Sequence, residues 1–92
     1  MILTVEISFY PFNQDYIPPI KWFIERLASY PEIERRTTAT CTQIQGESQQ
    51  IMTLLHDEMT AAFEKYGKAV MVCKFIPGPL NLNYQDETEQ EA

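Results

Sequence analysis

Apolar and more polar side chains alternate through the first ten residues. The odd positions Leu3, Val5 and Ile7 are apolar, and the even positions between them are Thr4 and Glu6. A period of two residues predicts a strand with one buried face and one more polar face. We expect this strand to end at position 11, because proline cannot donate a hydrogen bond to a sheet ladder.

Two later segments have apolar residues at helical spacing. The first follows Asp15, a candidate N-cap, and ends at Tyr30, because a residue ahead of a proline avoids the helical conformation. The second follows Ser48, also a candidate N-cap, and ends at Gly67, a residue type favoured just after a helix. The apolar stripes are Ile17, Ile20, Phe23, Ile24 and Leu27 in the first helix and Ile51, Met52, Leu55, Met59, Ala62, Phe63 and Tyr66 in the second.

The remaining apolar segments are typical of strands. Residues 33–47 are rich in threonine without a helical period, which favours two strands joined by an irregular turn near residues 39–42. Residues 69–76 form the last predicted strand, which stops at Pro77-Gly78-Pro79. Beyond it the chain becomes polar and acidic. We therefore expect a folded domain over residues 1–80 and a disordered acidic tail over residues 81–92.

The order of these elements is strand, helix, strand, strand, helix, strand, which is the ferredoxin-like βαββαβ plan of the α+β class. In this plan two helices cover one face of a four-stranded antiparallel sheet, and the first and last strands are neighbours. The opposite face, which we call the open sheet face, has no predicted covering element. By alternation it presents Thr4, Glu6, Ser8 and Tyr10 of the first strand and Val70, Val72, Lys74 and Ile76 of the last strand.

Composition narrows the classes of function. The chain has 92 residues, and its 7 Lys and Arg against 13 Asp and Glu give a net charge of −6. This balance argues against nucleic-acid binding, because phosphate contacts need clustered basic residues. The two cysteines make no disulfide framework, and no apolar run approaches the ~18 residues of a membrane span. We expect a cytoplasmic, single-domain protein that binds neither nucleic acid nor membrane.

Candidate catalytic groups are sparse. His56 is the single histidine, and Cys41 has no histidine on a plausible shared face. The three glycines are isolated rather than grouped in a phosphate-binding loop. A small enzyme of the dimeric α+β barrel type shares the topology, but only Glu6 and Lys74 would supply its acid or base. We therefore expect a protein without catalysis, metal ion or cofactor.

Four short segments resemble a known family. They are VEISFYPF, IKWFIERL, TCTQIQGE and VMVCKFIPG, and their order and spacing resemble the YkoF-like thiamine-binding family over about residues 3–80. The resemblance implies a ferredoxin-like fold and a non-catalytic protein that binds thiamine or its hydroxymethylpyrimidine portion, in salvage or transport. The best-known family members carry two tandem copies of this unit. This chain has one copy, so a dimer would have to restore the second.

The matching motifs also imply where the ligand binds. The implied ligand-binding residues are Ser8 and Tyr10 in the first strand and Thr40, Thr42 and Gln43 in the threonine-rich hairpin. In this fold the second strand of the hairpin neighbours the first strand, so these hydroxyl and amide groups can converge on the edge of a pyrimidine ring. Threonine also favours strands without any ligand, and that simpler explanation of the hairpin stays open.

Glu6 and Lys74 join this set of candidates through their predicted places on the open sheet face. Either residue would anchor a polar ligand, with the Glu6 carboxylate facing the positive ring of thiamine, or the two would form a half-exposed ion pair. A flat ligand would stack on Tyr10 or Trp22, because aromatic faces attract cations.

The apolar residues of the open sheet face also need an explanation. A lone soluble monomer rarely exposes a patch as large as Val70, Val72 and Ile76 predict. We therefore expect a homodimer or a higher homo-oligomer closed over this face. The alternative function is an oligomerisation or regulatory module, whose open sheet face makes subunit contacts only.

Overall fold

A computed structural model describes residues 1–86 and residue 88, and it confirms the ferredoxin-like α+β plan. The elements are β1 (Ile2–Pro11), α1 (Ile17–Ala28), β2 (Glu34–Thr37), β3 (Thr42–Glu47), α2 (Ser48–Tyr66) and β4 (Ala69–Pro77). The four strands form one antiparallel sheet in the order β2-β3-β1-β4, so β1 lies between β3 and β4 as predicted.

The core lies between the sheet and the two helices, on the side predicted by the alternation in β1. Leu3, Val5 and Ile7 of β1 are buried there, and they pack with Phe23 and Leu27 of α1. Ile44 of β3 and Ile51, Leu54 and Leu55 of α2 complete the cluster. The period of two in β1 therefore corresponds to one strand face that is buried in the core.

The helix starts differ from the predicted caps. Glu47, not Ser48, caps α2, and its carboxylate accepts hydrogen bonds from the N–H groups of Gln49 at 2.9 Å and Gln50 at 3.3 Å. These backbone bonds hold the pKa of Glu47 below its ordinary value. The residue at the N-cap of α1 is Tyr16, with no side-chain cap, so Asp15 does not have this role. Prolines in the first turn of α1 leave fewer N–H groups that need a cap.

The buried face of α2 is rotated from the predicted stripe. Met52, Met59 and Phe63 are exposed, whereas Leu54 and Glu58 are buried. The cause is Glu58, whose carboxylate accepts bonds from Arg26 Nε at 2.7 Å, Arg26 Nη2 at 2.9 Å and the Tyr30 hydroxyl at 2.5 Å. These bonds turn the Glu58 side of α2 towards α1, and the methionine side towards solvent.

Residues 78–82, which we call the C-terminal strap, cover one end of the open sheet face. Gly78 has a φ of +109°, a conformation that glycine adopts readily, and its N–H bonds to the carbonyl of Ile2 at 2.8 Å. The turn brings the Leu80 N–H to within 2.6 Å of Gln45 Oε1. The carbonyl of Leu82 accepts a bond from Arg36 at 2.9 Å, and the Leu82 side chain is only 7% exposed.

Two expectations change because of the C-terminal strap. The prediction that no part of the chain covers the open sheet face is wrong at this end, where Thr4 is buried beneath the strap and its hydroxyl bonds to Gln45. The packed part of the chain extends at least to Leu82, so the predicted domain boundary at residue 80 falls within the strap. Residues 87 and 89–92 of the predicted tail lie outside the described residues.

Candidate functional site

The strongest candidate site is a notch in the sheet, where β1 extends beyond the last paired residue of its neighbour β3. Pairing between β1 and β3 ends at Ile7 and Thr42, whereas β1 continues to Pro11 along β4 on its other side. Successive residues of an antiparallel strand direct their N–H and C=O groups to alternate sides. The last residues of β1 therefore turn backbone donors and acceptors towards the notch, where no strand of the described chain pairs with them.

The notch is the mouth of a cavity of about 390 Å³. This volume lies in the range of small-molecule sites. The cavity is bounded by the end of β1, the turn between β2 and β3, and the first two turns of α1. Its lining residues are Ile7, Ser8, Phe9, Tyr10, Pro11, Asn13, Tyr16, Ile20, Phe23, Ile24 and residues 37–42.

Hydroxyl groups shape the hairpin wall of the cavity. The Thr38 N–H donates to the carbonyl of Cys41 at 2.8 Å, and the Thr38 hydroxyl accepts from the Cys41 N–H at 3.3 Å. The hydroxyls of Thr37 and Thr42 lie 3.1 Å apart and bond to each other. These bonds close the irregular turn at residues 38–41, close to its predicted position. The wall therefore carries short polar groups in a defined arrangement.

Aromatic rings supply the other walls. Phe9 and Phe23 are stacked, with centroids 4.7 Å apart and an interplanar angle of 14°, and both line the cavity. The half-exposed rings of Tyr10 and Tyr16 also line it. Trp22, considered above as a stacking partner, does not line the cavity: its ring meets Tyr66 edge to face at 5.6 Å on the α2 side of α1. Tyr10 is thus the better placed of the two rings predicted to stack on a ligand.

The structure divides the seven predicted ligand-binding residues into two groups. Ser8, Tyr10, Thr40 and Thr42 line the cavity, and the Ser8 hydroxyl lies 3.5 Å from the carbonyl of Thr40. The other predicted residues, Gln43, Glu6 and Lys74, are not among the lining residues.

These three residues instead form one cross-strand row on the open sheet face, continued by Arg36 on β2. Lys74 Nζ lies 3.8 Å from Glu6 Oε1, so the predicted cross-strand pair is confirmed. The Glu6 carboxylate faces a lysine rather than the cavity, because Glu6 lies within the paired part of β1 and the notch begins beyond Ile7.

The charge of the cavity differs from the expectation. None of the described residues that line it carries a formal charge. Sequence reasoning also missed Ile20 and Ile24 of α1, because apolar residues at helical spacing were assigned to the core, and it did not include Tyr16 at the N-cap of α1 among the ligand-binding residues. The only signal for them was their place at the start of α1 and in its first two turns, which follow the end of β1 along the chain.

The two thiols lie in different surroundings. Burial raises the pKa of the Cys73 thiol, so this thiol is protonated at neutral pH. Cys41 lines the cavity, and its sulfur lies 3.5 Å from the Thr38 hydroxyl. The single histidine, His56, is exposed on α2. Within the described residues, neither helix has an apolar stretch long enough to cross a membrane.

Comparison with known proteins finds likeness in structure rather than in sequence. No family model and no curated protein matches the chain. Protein SP2199 from Streptococcus pneumoniae is similar in fold, with a TM-score of 0.79 and 19% identity over 100% of both chains.

Two further solved structures share the fold. A "putative thiamine biosynthesis/salvage protein" from Thermotoga maritima has a TM-score of 0.78 and 18% identity over 99% of this chain and 98% of that one. The domain of unknown function DUF77 from Bacillus cereus has a TM-score of 0.76 and 16% identity over 95% of this chain and 93% of that one. At such low identities these matches establish the fold alone.

Proposed function

We propose that this chain is a non-catalytic binding protein for thiamine or its hydroxymethylpyrimidine portion, that it acts in thiamine salvage or transport in the cytoplasm, and that it belongs to the YkoF-like family. The observation that carries the proposal is the uncharged cavity at the unpaired end of β1. Thiamine combines a flat aminopyrimidine ring with a cationic ring, and the aminopyrimidine offers donors and acceptors along one edge. A strand edge beside hydroxyl groups matches such a ligand in shape and polarity.

The aminopyrimidine ring of the ligand would be recognised through its edge. Backbone N–H and C=O groups beyond Ile7 would pair with the ring nitrogens and the amino group, as a neighbouring strand would. The side chains of Ser8 and Thr40 lie beside this edge. Each such bond that is lost leaves a buried group unpaired, at a cost of about 1–3 kcal/mol.

The cationic half would be recognised without a carboxylate. Tyr10 and Tyr16 are half-exposed at the cavity, and the faces of aromatic rings attract cations. The thiamine-related name of the Thermotoga maritima structure, whose chain is covered over 98% of its length, adds support from the shared fold. On this proposal Glu6 and Lys74 form a structural pair outside the site.

The proposal retains a homo-oligomer closed over the open sheet face. Val70 and Val72 remain exposed there, beyond the C-terminal strap. These two side chains also favour the second candidate function, an oligomerisation module. The second candidate differs in requiring no ligand in the cavity.

Thermal unfolding with added ligand tests the binding function. Ligand at ~100 times its dissociation constant adds about 2.7 kcal/mol to the free energy of unfolding. For a domain of this size that corresponds to a rise in melting temperature of roughly 11–22 °C. We expect the rise with thiamine and hydroxymethylpyrimidine, and none with adenine at the same concentration.

A filled cavity provides the matched control. Ile24→Trp places an indole in the cavity and should abolish the rise, whereas Ile17→Trp adds the same group at an exposed position of α1 and should preserve it. The proposal fails if neither thiamine compound raises the melting temperature, or if both variants respond alike.

A further inference from the structure

A positive charge lies directly behind the hairpin wall of the cavity. Arg35 on β2 pairs with Ile44 on β3, which is buried beneath the helices, so Arg35 and Thr37 share the helix-covered face of the sheet. Arg35 Nη1 donates a hydrogen bond to Thr37 Oγ1 at 3.2 Å, and Thr37 lines the cavity. The guanidinium is therefore separated from the cavity by one threonine side chain.

This guanidinium has no acidic partner in the part of the chain that the structure describes. Its described bond is to the neutral Thr37 hydroxyl, and the described ion pairs use other cations. The next residue, Arg36, faces the other side of the sheet, where it donates to the carbonyl of Leu82. Because Arg35 is exposed, most of its N–H donors can turn towards a ligand.

A second cation lies on α1, which forms another wall of the cavity. Lys21 is exposed in the first two turns of α1, and it lies about 60° around the helix axis from the lining residue Ile24. The acidic residues next to the α1 side of the cavity are Asp15 and Glu25, and within residues 1–86 and 88 neither forms an ion pair with Lys21 or Arg35. Cations without acidic partners thus lie on both the hairpin side and the α1 side of the cavity.

We propose that Arg35 is an anion-binding residue of this site, and that the ligand bound most tightly is the phosphate monoester of hydroxymethylpyrimidine. The inference rests on the proposed function, because it places the pyrimidine ring in the same cavity. A phosphate that bonds to the Thr37 hydroxyl from inside the cavity lies within about 6 Å of the guanidinium. Rotation of the exposed Arg35 side chain then allows two parallel N–H bonds to the phosphate oxygens.

The three candidate ligands differ in charge. The phosphate ester is an anion, hydroxymethylpyrimidine is neutral, and thiamine carries a positive ring. None of the described residues that line the cavity carries a formal charge, so the guanidinium next to Thr37 is the group through which ligand charge affects binding. Arg35 should therefore strengthen the binding of the phosphate ester, leave hydroxymethylpyrimidine unaffected and slightly weaken the binding of thiamine.

Calorimetric titration of the full chain with these three ligands tests the role of Arg35. We expect the wild type to bind the phosphate ester at least ~10-fold more tightly than hydroxymethylpyrimidine, as one charge-assisted hydrogen bond contributes. Arg35→Gln should remove this advantage, change the affinity for hydroxymethylpyrimidine by less than ~2-fold and leave thiamine bound no more weakly. Arg36→Gln removes the same charge from the opposite face of β2, and it should preserve the advantage.

The choice of ligands separates this inference from the proposed function. If hydroxymethylpyrimidine binds and its phosphate ester binds no more tightly, or if both variants lose the advantage equally, the role of Arg35 is overturned and the proposed function stands. If the phosphate ester alone binds and Arg35→Gln abolishes its binding, the role of Arg35 is supported and the proposed function is contradicted. Binding of none of the three ligands would overturn both.

Discussion

The ion pair between α1 and α2 should respond very unequally to the loss of each partner. The Glu58 side chain is 0% exposed and the Arg26 side chain is 46% exposed. Arg26→Met keeps an apolar stem over Trp22, but of the three hydrogen bonds described above it leaves the buried Glu58 carboxylate with the one from the Tyr30 hydroxyl. Glu58→Gln leaves a guanidinium that water reaches.

The expected magnitudes follow from this difference in burial. An uncompensated buried charge costs about 3 kcal/mol, so Arg26→Met should lower the melting temperature by roughly 12–24 °C. Glu58→Gln should lower the free energy of unfolding by about 1–2 kcal/mol, because it removes charge-assisted hydrogen bonds but leaves no buried charge without a partner. Arg35→Met, on the exposed edge strand β2, is the control and should cost less than ~0.5 kcal/mol.

Urea unfolding of the three variants at neutral pH measures these costs directly. If Arg26→Met costs no more than Glu58→Gln, then solvent reaches the Glu58 carboxylate. In that case the account of why α2 is rotated towards α1 is wrong.

Three other changes test separate parts of the account. Leu82→Ala should lower the free energy of unfolding in urea by about 2–3 kcal/mol, because the C-terminal strap buries this side chain; no loss would mean that the strap does not pack. Glu6→Gln should change the affinity for thiamine and for hydroxymethylpyrimidine by less than ~2-fold in calorimetry, because Glu6 pairs with Lys74 outside the cavity. Selective loss of thiamine binding would place Glu6 in the site. Burial, and after it the hydrogen bond to Glu58, raises the pKa of Tyr30 from 10.0 to about 12. The unfolded chain therefore loses this proton first, so the free energy of unfolding should be constant below pH 10 and decline towards pH 12. Tyr30→Phe should flatten that decline.

The sequence was sufficient for the fold because each element has a local signal. The alternation in β1 determines which of its faces is buried, and the proline and glycine residues end the elements near their observed limits. The rotation of α2 could not be predicted, since it depends on Glu58 meeting Arg26 across the core, and a glutamate in a helix is usually exposed. The C-terminal strap was missed for a similar reason: its contacts with Arg36 and Gln45 join residues distant in sequence.

The candidate site was predicted in part. Ser8 and Thr40 were found because the topology brings the end of β1 close to the hairpin. Glu6 was placed in the same group because it shares a sheet face with Ser8, although the cavity begins only where pairing with β3 has ended. No pattern in the sequence marks that end, since it depends on the lengths of the two strands.

The most direct test of the central claim is calorimetric titration of hydroxymethylpyrimidine into the wild-type chain and into Ile24→Trp. This neutral ligand isolates recognition by the cavity from any effect of the cationic ring. The account predicts saturable binding of one ligand per chain to the wild type and none to Ile24→Trp. Absence of binding to the wild type, or equal binding to both proteins, would contradict it.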